Sequence, residues 1–145
     1  FLLASAFVFT LAVSAQTKPE DLIKVNVESH DFGKVKQSVP VSYYFEIKNI
    51  SDKPVVVENT WASCGCTTPE KIVEPIAPGA TVKLKVDYNA AALGPINKEV
   101  FIKLAGIDQA KSVKITGEVL TAEAYEAYLK EKGKGGAIEK APSKG

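Results

Sequence analysis

The most regular feature of this chain is a two-residue alternation of apolar and polar side chains. It is clearest over residues 41–48, where Val41, Tyr43, Phe45 and Ile47 alternate with mostly polar residues, and it returns over residues 82–88. Alternate side chains of an extended chain lie on opposite faces, so a period of two is typical of a strand buried on one face. Each of these two segments therefore predicts a half-buried strand.

Shorter segments of the same character lie on both sides of these two. We predict strands at residues 25–27, 55–61, 100–104 and 113–115, where β-branched residues recur. Turn-forming residues separate the strands, in the runs 49–54, 77–80 and 93–96 and at Gly106 and Asp108. About seven short strands, without a helix long enough to cross between them, predict an all-β fold, an antiparallel β-sandwich.

The C-terminal end of the chain departs from this pattern. Thr121 is placed to cap a short helix over residues 121–133, which we expect to end at Gly133. Tyr125, Tyr128 and Leu129 fall on one face of that helix. Residues 134–145 hold too few apolar side chains to pack, so they predict a disordered tail.

The N-terminal end is an apolar run, residues 1–15, that carries no charge. It is shorter than the roughly 20 residues that cross a bilayer, and Val13, Ser14 and Ala15 suit the cleavage site of a signal peptide. We therefore expect an export signal at residues 1–15 that lacks its basic n-region, then a linker at residues 16–23. Export would place the mature protein, without a transmembrane segment, in the periplasm or outside the cell, where disulfides persist.

Charge and motifs exclude several classes of function. The chain has 18 Lys and Arg against 17 Asp and Glu, a net charge of +1. A nucleic-acid surface needs clustered positive charge, so we expect no nucleic-acid partner. Neither a GxSxG nucleophile turn nor a GxxxxGK phosphate loop occurs, and we expect no enzymatic activity.

The only two cysteines, Cys64 and Cys66, flank Gly65, and the only tryptophan, Trp61, lies just before them. In an extended strand their Cα atoms would lie roughly 6.6 Å apart, at the limit of what a disulfide tolerates. A bond between them therefore requires a turn at Gly65, and glycine supplies one because it adopts positive φ without a Cβ clash. The run predicts a reducible disulfide, a paired thiol site or a sharp chain reversal.

Two chemical roles compete with a purely structural one. Redox exchange needs a thiolate, stabilised by cations or a helix N-terminus; Lys71 is the nearest basic residue in sequence, and we predict no helix here. Soft-metal binding by Cys64 and Cys66 suits copper(I), whereas zinc would also need His30 and a carboxylate. We interpret His30 as a turn or surface residue and Trp61 as a core anchor. The structural role is favoured, no cofactor is expected, and both chemical roles stay open.

Five runs of the sequence resemble the DUF1573 family of exported bacterial domains, which is common in Bacteroidetes. They are HDFGKV, YYFEIKNIS, SCGCTTPE, IAPGATVKLKVDY and ITGEV, and the resemblance covers residues 25–120. The family's hallmark is the Ser-Cys-Gly-Cys-Thr run, which places Ser63, Gly65 and Thr67 beside the cysteines as supporting residues. The resemblance implies an immunoglobulin-like fold related to ASH and major-sperm-protein domains, relatives that mostly bind proteins. It implies no established activity.

Together these points predict an immunoglobulin-like β-sandwich at residues 24–120 as the one folded domain. We expect it to act as an exported binding or assembly module with a protein partner, and to be a monomer. The alternative is a thiol-disulfide or copper(I)-handling protein that uses Cys64 and Cys66.

Overall fold

The structure of the protein is a computed structural model that describes residue 12 and residues 14–135. A short 3-10 turn, Pro19–Asp21, precedes eight strands and one helix. The elements are β1 (Ile23–Val25), β2 (Ser29–Lys36), β3 (Val41–Asn49), β4 (Val57–Ala62), β5 (Thr67–Pro69), β6 (Thr81–Tyr88), β7 (Gly94–Leu104), β8 (Lys111–Leu120) and α1 (Ala122–Gly135).

The strands form two four-stranded sheets that pack face to face. The first sheet has the order β1-β3-β6-β5 and the second has the order β2-β8-β7-β4. The predicted all-β, immunoglobulin-like sandwich is therefore confirmed. It departs from the predicted purely antiparallel arrangement at one place, because β2 pairs with β8 in parallel.

Two strands are absent from the sequence-based prediction. Strand β2 has only one buried residue, Val35, so no alternation marks it. Strand β5 is three residues long and includes Pro69. Pairing with a neighbouring strand, and not local pattern, makes both segments extended.

The predicted turn at residues 93–96 is wrong, because β7 already begins at Gly94. Gly94 has φ of +105°, a value that glycine adopts easily, and pairs with Val119 of β8. Val55 also lies outside β4, in an isolated bridge with Ile76.

The core lies between the two sheets and takes side chains from both. Phe45, Ile47 and Leu84 of the first sheet are fully buried, as are Val100 and Ile115 of the second. The apolar faces of the half-buried strands thus pack against each other between the two sheets, as the period of two predicted.

Helix α1 begins after Thr121, whose hydroxyl oxygen accepts the Ala124 N–H at 3.1 Å. It continues through Gly133 to Gly135, so it includes the first two residues of the predicted tail. Tyr125 and Tyr128 are half-buried, whereas Leu129 is exposed. No helix in the described part of the chain is both long and apolar enough to cross a membrane.

The predictions for the two chain ends fall largely outside the described residues. Residues 1–11 and 13 of the predicted export signal and residues 136–145 of the predicted tail are among those not described. The predicted linker at residues 16–23 contains the 3-10 turn and the first residue of β1.

Candidate functional site

The segment that holds both cysteines, residues 63–66, is the cysteine turn, and it connects the two sheets at one end of the sandwich. It follows β4 of the second sheet and precedes β5 of the first. The Ser63 N–H donates to the Glu99 carbonyl of β7 at 2.9 Å, and the Asn89 N–H donates to the Cys66 carbonyl at 3.0 Å. One side of the turn is thus attached to each sheet, which fixes its position.

Cys64 and Cys66 are joined by a disulfide, and their Cα atoms are 5.3 Å apart. This separation is shorter than the roughly 6.6 Å of an extended strand, because the chain turns at Gly65 and Cys66. The turn does not use the special freedom of glycine. Gly65 is not among the residues with positive φ, and a Cβ added there would meet nothing within 4 Å. The expectation that the turn needs glycine's backbone is therefore wrong.

The two sulfurs lie in different surroundings. Cys64 Sγ accepts the N–H of Cys66 at 3.2 Å. The Thr67 hydroxyl lies 3.7 Å from each sulfur, and the Thr67 residue is only 4% exposed. Both cysteines are half-buried, and Cys66 packs against the hydrophobic core. Cys64 therefore has the larger number of hydrogen-bond donors, and Thr67 can donate to either sulfur.

Lys71, the nearest basic residue in sequence, is engaged elsewhere. Its ammonium donates to Asn59 Oδ1 at 2.7 Å and to the Thr60 carbonyl. In the described residues the 3-10 turn begins at Pro19 and α1 begins at Ala122, and neither lies at the cysteine turn. The polar contacts that the structure shows at the two sulfurs are thus hydrogen bonds.

The structure does not bring His30 together with the cysteines in a metal site. His30 lies in β2, not in a turn, where its ring stacks on Tyr43 at 3.7 Å and meets the edge of Phe32 at 4.7 Å. Within residues 12 and 14–135, no group of three or more His, Cys, Asp or Glu side chains could hold a metal ion. Because copper(I) binds thiolates, the disulfide would have to be reduced before Cys64 and Cys66 could hold it.

Trp61 is not a core anchor, and that prediction is wrong. The residue is 39% exposed, and its ring stacks on Phe101 of β7 with 5.3 Å between centroids. Its neighbour Thr60 is buried instead, at 1% exposure. The alternation along β4 gives the core position to Thr60, whose hydroxyl donates to the Glu70 carbonyl at 2.8 Å. The stacked rings of Trp61 and Phe101, the aromatic pair, therefore lie on the outer face of the second sheet.

The aromatic pair has no direct sign in the sequence. Phe101 lies between the buried residues Val100 and Ile102, so the run appears uniformly apolar. The usable signal is the period of two, because two fully buried neighbours of Phe101 require its ring to face the other way.

Three of the four sheet edges carry features that discourage pairing with another chain. Strand β1 has three residues, and β5 has three including Pro69. Strand β2 has an irregular register between Asp31 and Lys34 and carries charged side chains along its length.

Strand β4 is the fourth edge, and its register is irregular between Val57 and Asn59 but regular from Asn59 to Ala62. Ser63 bonds to β7, and backbone groups alternate in direction along an antiparallel strand, so those of Thr60 and Ala62 point away from β7. The Thr60 carbonyl accepts the Lys71 ammonium, which agrees with this direction and shows that Lys71 covers the edge at Thr60. The outward backbone groups of Ala62 lie two residues before Cys64.

Comparison with protein families gives one match. The model described as "Protein of unknown function (DUF1573)" matches residues 23–119. This range holds both sheets and the cysteine turn. A comparison with curated proteins found no match.

Solved structures with a similar fold share little sequence with this chain. A protein of unknown function from Porphyromonas gingivalis is 14% identical, with a TM-score of 0.57 over 67% of this chain and 46% of its own. The ASH/PapD-like domain 7 of human CEP192 is 10% identical, with a TM-score of 0.54 over 81% of this chain and 99% of the domain. The CupB2 chaperone of Pseudomonas aeruginosa is 13% identical, with a TM-score of 0.51 over 72% of this chain and 61% of the chaperone. At these identities the likeness concerns the fold alone, and the chain spans less than half the length of the Porphyromonas protein.

Proposed function

The chain belongs to the DUF1573 family, and we propose that it is an exported, non-enzymatic binding or assembly module of the cell envelope. In this proposal an extended segment of a partner protein pairs with the outer edge of β4. The observation that carries it is the regular register of β4 from Asn59 to Ala62, with the backbone groups of Ala62 directed away from β7.

Edge pairing explains how a domain of this kind can bind. Backbone hydrogen bonds give an added strand its affinity, and side-chain contacts beside the edge give it specificity. Trp61, on the outer face next to this edge, is 39% exposed, and Val56 just before β4 is 45% exposed. Exposed aromatic residues are frequent at protein interfaces because they bury a large area with few rotatable bonds.

Two other observations support the proposal. The CupB2 protein, with a similar fold, is described as a chaperone, so the sandwich architecture is compatible with a binding role. The disulfide of Cys64 and Cys66 fits an oxidising compartment, as does the apolar run at residues 1–15.

The test blocks the edge without disturbing the sheet. A photo-crosslinking residue at Glu58, an exposed position of β4, is expected to give a discrete crosslinked product in the native envelope. Ala62→Pro removes an outward N–H while leaving the bonds to β7, so it should abolish this product. The same crosslinker at Lys114, exposed on the central strand β8, is the matched control and should give no product.

Each outcome has a definite meaning if Ala62→Pro unfolds at the wild-type denaturant midpoint. A Glu58 product that persists in Ala62→Pro, or that is no stronger than the Lys114 background, overturns edge pairing. A product with the mass of two copies assigns the edge to self-association and overturns the expected monomer.

A second candidate is thiol-disulfide exchange at Cys64 and Cys66. The bonded sulfurs and their hydrogen bonds favour it over copper(I) handling, which needs free thiolates. Copper(I) binding is tested by metal analysis of the reduced wild-type protein and of the double variant Cys64→Ser, Cys66→Ser. Equal copper content in the two proteins would exclude a copper site at the turn.

A further inference from the structure

The disulfide closes too small a loop to be explained by stability alone. In the chain-entropy view, cross-linking two residues that are two positions apart stabilises the fold by only about 1–2 kcal/mol, below the usual range for disulfides. The sandwich already has a core built from both sheets. A small contribution to stability therefore leaves a chemical role as the more informative explanation of a disulfide at this spacing.

The surroundings give the two sulfurs different roles in such chemistry. Cys64 Sγ already accepts the Cys66 N–H at 3.2 Å, so it can carry negative charge as a thiolate. Cys66 packs against the core, although both cysteines are half-buried, so the hydrogen bond from the Cys66 N–H is what distinguishes Cys64. The Thr67 hydroxyl, 3.7 Å from each sulfur, can donate to whichever one is charged.

The position of the cysteine turn beside β4 indicates which molecule would react with the disulfide. Cys64 lies two residues after Ala62, the last residue of the edge strand β4. A peptide paired with Asn59–Ala62 and continuing in the same direction therefore carries its own side chains to the sulfurs.

From these observations we propose that Cys64 and Cys66 form an exchange site for a cysteine-bearing peptide that pairs with β4. Cys64 is the sulfur that joins the peptide, Cys66 is the sulfur that leaves, and Thr67 is a positioning residue. This inference rests on the edge pairing of the proposed function. Each molecule passes on one disulfide, so the role agrees with a non-enzymatic module.

The exchange balances with a peptide that holds two thiols. One peptide thiolate attacks Cys64 Sγ, the Cys64–Cys66 bond breaks, and Cys66 leaves as a thiolate that accepts the Thr67 hydroxyl. The second peptide thiolate then attacks the peptide sulfur of the mixed disulfide and displaces Cys64 as a thiolate. Two electrons pass from the peptide to the protein, the peptide gains a disulfide, and the two peptide protons end on Cys64 and Cys66.

The roles of the sulfurs are tested with single-cysteine variants and the oxidised form of a synthetic two-cysteine β-strand peptide. Cys66→Ser keeps Cys64 and should trap a mixed disulfide about tenfold faster than Cys64→Ser does, because a more abundant thiolate attacks faster. Mass spectrometry after acid quench measures the product. Equal rates for the two variants, or a faster Cys64→Ser, overturn the assignment.

The role of Thr67 is tested by the shape-conserving change Thr67→Val in the Cys66→Ser background. It should move the midpoint of the pH profile of Cys64 alkylation upward, because the thiolate loses a hydrogen bond. Thr68→Val, at the exposed neighbouring position of β5, is the control and should leave the midpoint unchanged. An unchanged midpoint in Thr67→Val overturns the positioning role.

The peptide route is tested on the oxidised wild-type protein with the reduced peptide and with reduced glutathione. At equal thiol concentration the peptide should reduce the disulfide about tenfold faster, the rate factor of about 1.4 kcal/mol of binding. Ala62→Pro should remove this advantage and leave the glutathione rate unchanged.

The outcomes separate this inference from the proposed function. If both thiols leave the disulfide intact while Glu58 still crosslinks in an Ala62-dependent way, the exchange site is wrong and edge pairing stands. If the disulfide reacts equally with both thiols and Ala62→Pro has no effect, the peptide route is wrong, and edge pairing is left to the crosslinking result.

Discussion

Gly117 lies where β8 comes closest to β2. Its φ is +149°, and a Cβ added there would lie 2.8 Å from the Gly33 carbonyl oxygen and 3.1 Å from Ile96 Cδ1. Real side chains do not approach backbone oxygen that closely, so the parallel pairing of β2 and β8 depends on the missing Cβ. Gly65 is the opposite case, because its surroundings are empty.

We predict that Gly117→Ala lowers the free energy of unfolding by about 1–3 kcal/mol, since it adds both backbone strain and a clash. Gly65→Ala is the matched control and should change it by less than about 0.5 kcal/mol. Denaturant unfolding measures both. Equal denaturant midpoints for the two variants would contradict the close approach of β2 and β8 at Gly117.

At the scale of elements, each strand edge has its own local chemistry. Pro69 on β5 has no N–H to offer, and β2 is interrupted between Asp31 and Lys34. Strand β4 lacks these features from Asn59 to Ala62 and leads directly into the cysteine turn. The binding surface and the exchange site therefore follow from which strand lies at which edge.

Helix α1 is held mainly by its first turn and by two half-buried tyrosines. The Thr121 hydroxyl oxygen accepts the Ala124 N–H, and the Thr121 carbonyl accepts the Tyr125 N–H at 2.8 Å. The ion pair of Lys36 with Glu126 is exposed at 3.4 Å and adds little. The N-cap is thus the position on which the start of the helix depends.

We predict that Thr121→Ala weakens α1 by about 1 kcal/mol, because it leaves the Ala124 N–H without its side-chain acceptor. Hydrogen exchange should accelerate at residues 122–129, while the core strands keep their protection. Thr68→Ala, at an exposed strand position, should change neither. Uniform acceleration over all strands in Thr121→Ala would show that the helix is not a separate unit of stability.

At the scale of the whole molecule, the two sheets share one core. Phe45 and Leu84 from the first sheet and Val100 and Ile102 from the second have no exposed surface. The cysteine turn only links the sheets at one end. Stability therefore resides in the interlayer packing, and the disulfide is a minor contributor.

We predict that reducing the Cys64–Cys66 disulfide lowers the free energy of unfolding by only about 1–2 kcal/mol and leaves the protein folded. Phe45→Ala should cost more, about 3–5 kcal/mol, because it opens a cavity in the shared core. Unfolding curves with and without reductant measure the first effect. Loss of the folded state on reduction would instead make the disulfide structural and remove the argument for its exchange role.

The sequence allowed much of the fold to be predicted and less of the candidate site. Alternation identified β3, β6 and the centres of β7 and β8, because half-buried strands impose a period of two. It did not identify β2, whose residues are mostly polar, or the start of β7 at Gly94. The cysteine turn was apparent from Cys64 and Cys66 alone, whereas the roles of Ala62, Thr67 and Phe101 were not.

By itself the sequence determined the β-sandwich, the cap of the C-terminal helix and the place of the two cysteines, because each of these depends on neighbouring residues. Only the tertiary structure decided that Trp61 faces outward on Phe101 and that β4 lies at the edge of its sheet. It also decided that Thr67 reaches both sulfurs. The reason is physical: strand order and side-chain contacts join residues far apart in the chain, and no local period records which strands become neighbours.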